Sequence, residues 1–437
     1  MSDTALQRTL GATDLTLLVI GNVIGSGIFL VPSVVLTQSG SVRVAMLVWL
    51  VGGVLSLFGA LSYGELGAMD QGSGGLYAFI RDAFGRFPAF LYGWTLFFGI
   101  GAGTVATLAV AAANYMGQFG AIEPWLRRII AVALIALMTV VNMRGTRRGV
   151  VVQNWATGIK LTAIVALSVV LLVRGQGGSP LSMDGTASVS LVAALGTAMI
   201  SVLWAYEGWQ YVTFVAGEAK DPQRSLPRSI ALGTAILVAI YLLANLAYLR
   251  ALGPAGVAAS QRVAGEAAAA VLGPWAGQAI AAAILISMYS AAHATVITTP
   301  RVYYAMARDG LFFRRLGEVH PRFGTPAFAI VASSAWAAVL AATGTFEQLL
   351  TYVVFVGWIF YAMGAAAVIV LRQTRPDVPR PFRVPGYPWT PALFVLAAIA
   401  LVGSTIISQP LIAVTGTGVV FLGAPAYLIW AGRSVRS

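Results

Sequence analysis

Two apolar stretches carry residues that a plain lipid-facing helix would not need. The first, GNVIGSGIFLVP, sets Gly21, Gly25 and Gly27 beside Asn22, Val23, Ile24 and Ser26, with Pro32 following. Glycine costs about 1 kcal/mol relative to alanine in a helix, so the run predicts an interrupted helix. In a membrane, unwound backbone persists only where its free amides and carbonyls face a protected cavity. Amides opening the second half-helix can hold a carboxylate, and carbonyls closing the first can hold an ammonium. That pairing suits an α-amino acid. The spacing Gly21-xxx-Gly25 also fits close helix packing, and this motif alone does not separate the two readings.

The second stretch, WAYEGW, runs Trp204, Ala205, Tyr206, Glu207, Gly208 and Trp209 through the middle of another apolar segment. A carboxylate at that depth is costly and marks a functional position by default. It either meets a substrate amine or guanidinium or bonds to nearby groups at a helix break, and packing accounts for at least one of the aromatics. Two further polar residues sit deep in apolar runs: Lys160 in NWATGIKLTAIVAL and His293 in MYSAAHATVITTPR. Arginine keeps its proton under ordinary conditions whereas a buried lysine can give it up. An imidazole titrates in the physiological range, yet a lone histidine in a packed helix is more often structural. Two histidines and no cysteine leave no ligand set for a metal, and no cofactor is expected.

These residues need elements to hold them. Of 437 residues, 58% are hydrophobic and 10% charged, far from the quarter charged that soluble domains carry. Apolar runs at about 14–38, 42–69, 87–115, 125–143, 150–173, 192–217, 228–250, 268–308, 326–343, 349–371, 389–408 and 411–431 each approach the roughly 20 residues that cross a bilayer as a helix. The chain therefore reads as an all-α membrane protein with twelve transmembrane helices. Most of the 27 Lys and Arg fall in loops on the side of the N-terminus, which puts both termini in the cytoplasm. The net charge of +12 is then a topology signal and needs no nucleic acid partner. Residues 70–86 predict an interfacial or re-entrant helix, and the alanine-rich stretch 254–275 predicts a surface helix over the opposite face. Interruptions in corresponding spans point to inverted repeats around a midplane site. Spans one to five and six to ten would form a 5+5 inverted repeat with broken helices 1 and 6, followed by two C-terminal helices.

Taken together, GNVIGSGIFLVP, WAYEGW, GEAKDPQRSLPRSI and PRVYYAMARDGLFF with HPRFGTP resemble the amino acid/polyamine/organocation superfamily. More narrowly they resemble its L-type amino acid transporter branch and the bacterial serine/threonine exchangers. The resemblance implies a fold of the LeuT type, with a transport core over 1–388 (repeats 1–190 and 191–388) and helices eleven and twelve over 389–437. It places a substrate carboxylate on the amides of Gly25, Ser26 and Gly27. The ammonium would rest on carbonyls at Val23 or Ile24, Trp204 and Glu207, with the Trp204 ring over the substrate from outside. Departures are Trp204, where the family usually has Phe, Gln210 in place of Asn, and His293 where relatives often have Asn and where it could line the side-chain pocket. The resemblance also implies that the Lys160 ammonium stands where sodium-coupled relatives hold an ion. Eukaryotic members join a glycoprotein subunit through a cysteine; this chain has none, so no disulfide-linked subunit is expected. Only an amino acid substrate and the lipid bilayer remain as partners.

The resulting expectation is a secondary amino acid transporter of a bacterial inner membrane, working by alternating access. Sodium-independent exchange of small to medium neutral L-amino acids leads. Proton-coupled uptake and a cationic amino acid or polyamine substrate are the alternatives. An intramembrane enzyme is a distant rival, because the spans hold no His-Glu-x-x-His run, cysteine nucleophile or aspartate pair. A channel would need repeated polar rings. Replacing Gly27 with a bulky residue is expected to abolish binding and leave the fold intact.

Overall fold

The computed structural model describes residues 6–70, 72–177, 191–344, 346–408 and 410–434; the repeat boundary placed at residue 190 lies outside them. Among the described residues every regular element is helical. In chain order they are α1 (Ala12–Val23), α2 (Gly27–Ser39), α3 (Val42–Met69), α4 (Leu76–Phe84), α5 (Arg86–Met116), α6 (Pro124–Met143), α7 (Thr146–Arg174) and α8 (Leu191–Ala205). A 3-10 turn at Trp209–Glu218 follows. Then come α9 (Pro222–Ala259), α10 (Val263–Leu272), α11 (Pro274–Arg308), α12 (Ala327–Thr343), α13 (Phe346–Thr374), α14 (Trp389–Ser408) and α15 (Pro410–Ser434).

Nine of these are long and apolar enough to cross a bilayer, and the pair α1 and α2, bent by 47°, makes a tenth. The two remaining expected spans, α8 with its 3-10 turn and α12, fall short as single helices. The stretch 70–86 contains the short α4, and 254–275 contains α10, bounded by Gly273 at φ +93° ahead of Pro274.

Local chemistry sets the breaks. Asp14 Oδ2 accepts the Gly11 N–H at 3.0 Å and so caps α1. The last regular bond of α1 is Ile24 N–H to Ile20 O at 3.0 Å, after which Gly25 N–H turns back to Val23 O at 2.9 Å. Inside α5 the residues Leu96–Ile100 form a π turn, which puts carbonyls off the regular ladder. Tyr303 Oη donates to Leu96 O at 3.1 Å and Trp336 Nε1 to Phe98 O at 3.0 Å. Backbone freed in the hydrocarbon region is thereby satisfied by side chains of neighbouring helices, as the bilayer demands.

The interior is one large apolar cluster joining α1, α2, α3, α8, α9 and α13, with a smaller one between α5, α6, α11 and α12. Outward faces carry bare apolar side chains, among them Ile129, Leu137, Val169, Leu396 and Ile399, suited to lipid. Ion pairs gather on the N-terminal face. Glu65 at the end of α3 accepts Arg372 Nε and Nη2 at 2.9 and 2.7 Å and Val384 N–H at 2.6 Å. Asp14 accepts Arg147 Nη1 and Asn154 Nδ2, each at 2.7 Å. Asp309 accepts Arg81 Nη1 at 2.7 Å and Tyr77 Oη at 2.8 Å. Burial, with the Asp309 carboxylate beside it, holds the Tyr77 phenol well above its usual range, so it stays a donor.

Candidate functional site

The two breaks abut. Gly208, which ends the unwound stretch after α8, has φ +122°, and a Cβ there would lie 3.0 Å from both C and O of Asn22. Only glycine meets both demands, a left-handed backbone and contact with another main chain. Between the breaks and the wall made by α5 and α11 lies a cavity. Asn22, Val23, Gly25, Ser26 and Gly27 line it from the first break, and Trp204, Ala205, Glu207, Gly208 and Tyr211 from the second. Thr104, Thr107 and Leu108 of α5 and Ala291 and Thr295 of α11 complete it.

Each amide and carbonyl at the first break can be followed to a partner. Because Gly25 N–H is donated to Val23 O, the amides at the start of α2, Ser26 and Gly27, are the ones with no intrahelical acceptor. Ile24 O accepts Lys160 Nζ at 2.6 Å and Ser287 Oγ at 3.0 Å, and Gly25 O accepts Ser287 Oγ at 2.9 Å. Gly21 O, whose helical partner would be the Gly25 N–H, accepts Lys160 Nζ at 2.9 Å. Tyr241 Oη donates to Ala205 O at 3.0 Å and reaches Val23 O at 3.4 Å, tying the two breaks together. A buried ammonium is affordable only with charge-assisted partners, and Lys160 has two main-chain carbonyls of α1 and its break.

The second break holds Glu207. Its Oε1 accepts Tyr361 Oη at 2.6 Å, while Oε2 is buried with no hydrogen-bond partner. Asn22 Oδ1, Ser26 Oγ and Thr107 Oγ1 are likewise buried and unpartnered, so four orphan polar atoms belong to residues of this one cavity.

Of the residues picked from sequence, Val23, Gly25, Ser26, Gly27, Trp204, Ala205, Glu207 and Gly208 line the cavity and three do not. Ile24 is turned to Lys160 and Ser287 through its carbonyl. The Tyr206 ring packs against Trp49 and Tyr241 at centroid distances of 5.8 and 4.9 Å. His293 is buried behind the first break: its Nδ1 lies 3.3 Å from Gln153 Oε1, and its ring stacks on Tyr289. The expectation that His293 lines a side-chain pocket is therefore corrected, since its neighbours come from α7 and α11. Gly27 also reads differently. A Cβ there would meet Ala205 Cβ at 2.9 Å, so Gly27 is a packing glycine as well as an amide donor, and a bulky side chain would wedge α2 off α8. Sequence reasoning missed Thr104, Thr107, Leu108, Tyr211, Ala291 and Thr295; the only signal was a pair of threonines one turn apart in GAGTVATLAV.

Among known proteins, the family described as amino acid permease matches residues 10–430. The serine/threonine exchanger SteT of Bacillus subtilis (strain 168) is 31% identical over 428 residues, 97% of either chain. The human b(0,+)-type amino acid transporter 1 is 32% identical over 414 residues, covering 93% of this chain and 84% of that protein. The cystine/glutamate transporter of Pongo abelii is 31% identical across 94% of this chain and 84% of its own length. With a match along nearly its whole length and two helix breaks facing one cavity, the chain belongs to the amino acid permease family, as a membrane transporter of amino acids and not an enzyme.

Proposed function

We propose that this permease is a sodium-independent exchanger of small to medium neutral L-amino acids. The observation that carries the reading is Lys160 Nζ on Gly21 O and Ile24 O. A fixed ammonium already neutralises the carbonyls that a coupling cation would need, so the break is held without one. The substrate carboxylate lies at the Ser26 and Gly27 amides and its ammonium at Val23 and the α8 end. Exchange also fits the serine/threonine exchanger among its relatives.

The wider proposal has twelve spans, a transport core over 1–388 built of repeats 1–190 and 191–388, and helices eleven and twelve over 389–437. Helices of spans one, two, six and seven rock against three, four, eight and nine. Both termini lie in the cytoplasm of a bacterial inner membrane, where most of the Arg residues sit. No disulfide-linked subunit takes part.

A second reading is favoured by one atom. Glu207 Oε2, buried and unpartnered beside the cavity, suits an amine or guanidinium on a cationic side chain. Purified protein in liposomes preloaded with an amino acid panel separates the two. Uptake that needs internal amino acid and ignores Na⁺ and pH gradients supports neutral exchange if alanine, serine and threonine serve best. Preference for lysine or arginine moves the assignment to the second reading, and uptake into empty liposomes driven by a pH gradient replaces exchange with proton coupling.

A further inference from the structure

A buried ion pair joins the sixth and eighth spans at a point that binding does not use. Arg301 Nε donates to Glu218 Oε1 at 2.6 Å, and Nη2 donates to Glu218 Oε2 at 3.3 Å and to Thr146 Oγ1 at 2.8 Å. Nη1 donates to Ile297 O. The two side chains are 2% and 1% exposed. The Glu218 carbonyl also accepts Thr9 and Leu10 N–H, each at 2.9 Å, and Lys220 N–H returns to Leu10 O at 2.9 Å. One acidic residue thus gathers the N-terminal segment, the end of the sixth span, the start of α7 and the eighth span.

Its place along both walls gives it meaning. On α11, Ala291 and Thr295 line the central cavity, Arg301 follows, and Tyr304, Ala305 and Arg308 line a second cavity on the N-terminal face. At 1.5 Å per residue, Arg301 lies roughly 9 Å below Thr295. On the sixth span, Glu207, Gly208 and Tyr211 line the central cavity, and Gly217, next to Glu218, lines the outer one. Leu6, Arg8, Asp70 and Ser73 close the outer cavity from the N-terminal segment and the loop after α3. Both walls run in the same order: central cavity, ion pair, outer cavity.

We propose that the Glu218–Arg301 pair, anchored on Thr146, is the plug between the binding cavity and an exit vestibule on the N-terminal face, and that the outer cavity is that vestibule when shut. The proposal rests on the reading of the central cavity as the transport site. While the gap is dry, separating the two charges would leave each buried and alone, which is strongly unfavourable. Once the sixth span swings from the eighth, water reaches both groups and the cost of parting them falls. Such a pair is firm when shut and easy to part when wet. Glu218 and Arg301 are positioning residues: they set which face the cavity opens to and touch no substrate.

The chain has no cysteine, so a single Ala291→Cys change reports on the central cavity alone. A membrane-impermeant thiol reagent is applied to reconstituted vesicles from the N-terminal face, with Glu218 intact or changed to Gln. Loss of a charged partner is expected to raise the labelling rate about tenfold, while KM for substrate offered at the opposite face stays unchanged and turnover falls. Thr146→Ala, which keeps both charges and so preserves the fold, is expected to raise it about threefold. Should Glu218→Gln fail to fold, the Thr146→Ala rate decides. A labelling rate unchanged in the folded variants overturns the proposal, as does a rise that comes with equal loss of substrate binding. Labelling needs no substrate, so failure of the exchange reading shows in the liposome panel and failure of the plug shows here.

Discussion

Lys160 and Gly21 set the first test at the residue scale. Gly21 O has lost its helical partner because the Gly25 N–H bonds to Val23 O, and Lys160 Nζ takes its place. Lys160→Ala would leave that buried carbonyl unpaired at a cost of about 1–3 kcal/mol, enough to slow exchange by roughly one to two orders of magnitude. Exchange equal to wild type at every pH would remove the lysine from the mechanism. Gly25 and Gly27 separate site from scaffold. A Cβ at Gly25 would sit at an ordinary 3.6 Å from Ala291 Cβ and Leu108 Cδ2, inside the cavity, whereas one at Gly27 would meet Ala205 at 2.9 Å. Gly25→Ala should therefore weaken substrate binding with the melting temperature unchanged, and Gly27→Ala should cost about 1–3 kcal/mol of stability through overpacking. Both breaks and the buried lysine were legible in the sequence because glycine clusters and charges are out of place in lipid. Thr107, Ala291 and Thr295 were not, since an apolar helix buried on several sides shows no periodic stripe that marks one face as cavity. His293 and Tyr206 misled for the converse reason: a polar or aromatic side chain marks a buried place without saying which side of the helix faces the ligand.

Among the elements, the end of α3 is held by a carboxylate with several donors. Glu65 is 1% exposed as a side chain and accepts from Arg372 and the Val384 N–H, with Arg380 Nε an ion contact at 3.5 Å. Removing it takes the acceptor from the part-exposed Arg372 and the buried Val384 N–H, so Glu65→Ala is expected to cost about 1–3 kcal/mol, read as a lowered unfolding midpoint in detergent. Glu65→Gln, which keeps one acceptor oxygen, should cost less. A variant as stable as wild type would mean that this corner of the molecule is held by packing alone. The choice of Arg372 and Arg380 as partners of Glu65 depends on how α13 and the loop after it lie against α3, a long-range contact that no local pattern encodes. The helix expected in residues 70–86 is present as α4, while the stretch after α8 winds as a 3-10 turn of ten residues. A polar, aromatic-rich run such as WQYVTFVAGE carries no sign of which helical winding it will take.

For the whole molecule, the lopsided arginine distribution and the ion pairs on the N-terminal face fall together. The orientation predicts that protease applied to right-side-out vesicles spares both termini, while inside-out vesicles lose them; cleavage in the first preparation would reverse the topology. The π turn in α5 bears on a different question, how the gene tolerates change in length. Leu96–Ile100 stores one residue more than a regular helix would use. A single-codon deletion there would give back an ordinary helix that inserts into the bilayer as well as before. Residues beyond it would keep nearly the facing they have now, so Thr104, Thr107 and Leu108 would still reach the cavity, while Tyr303 and Trp336 would lose the carbonyls that the wide turn offers them. A one-residue deletion is therefore expected to be tolerated better here than elsewhere in α5, where each residue lost would turn the rest of the helix by about 100°.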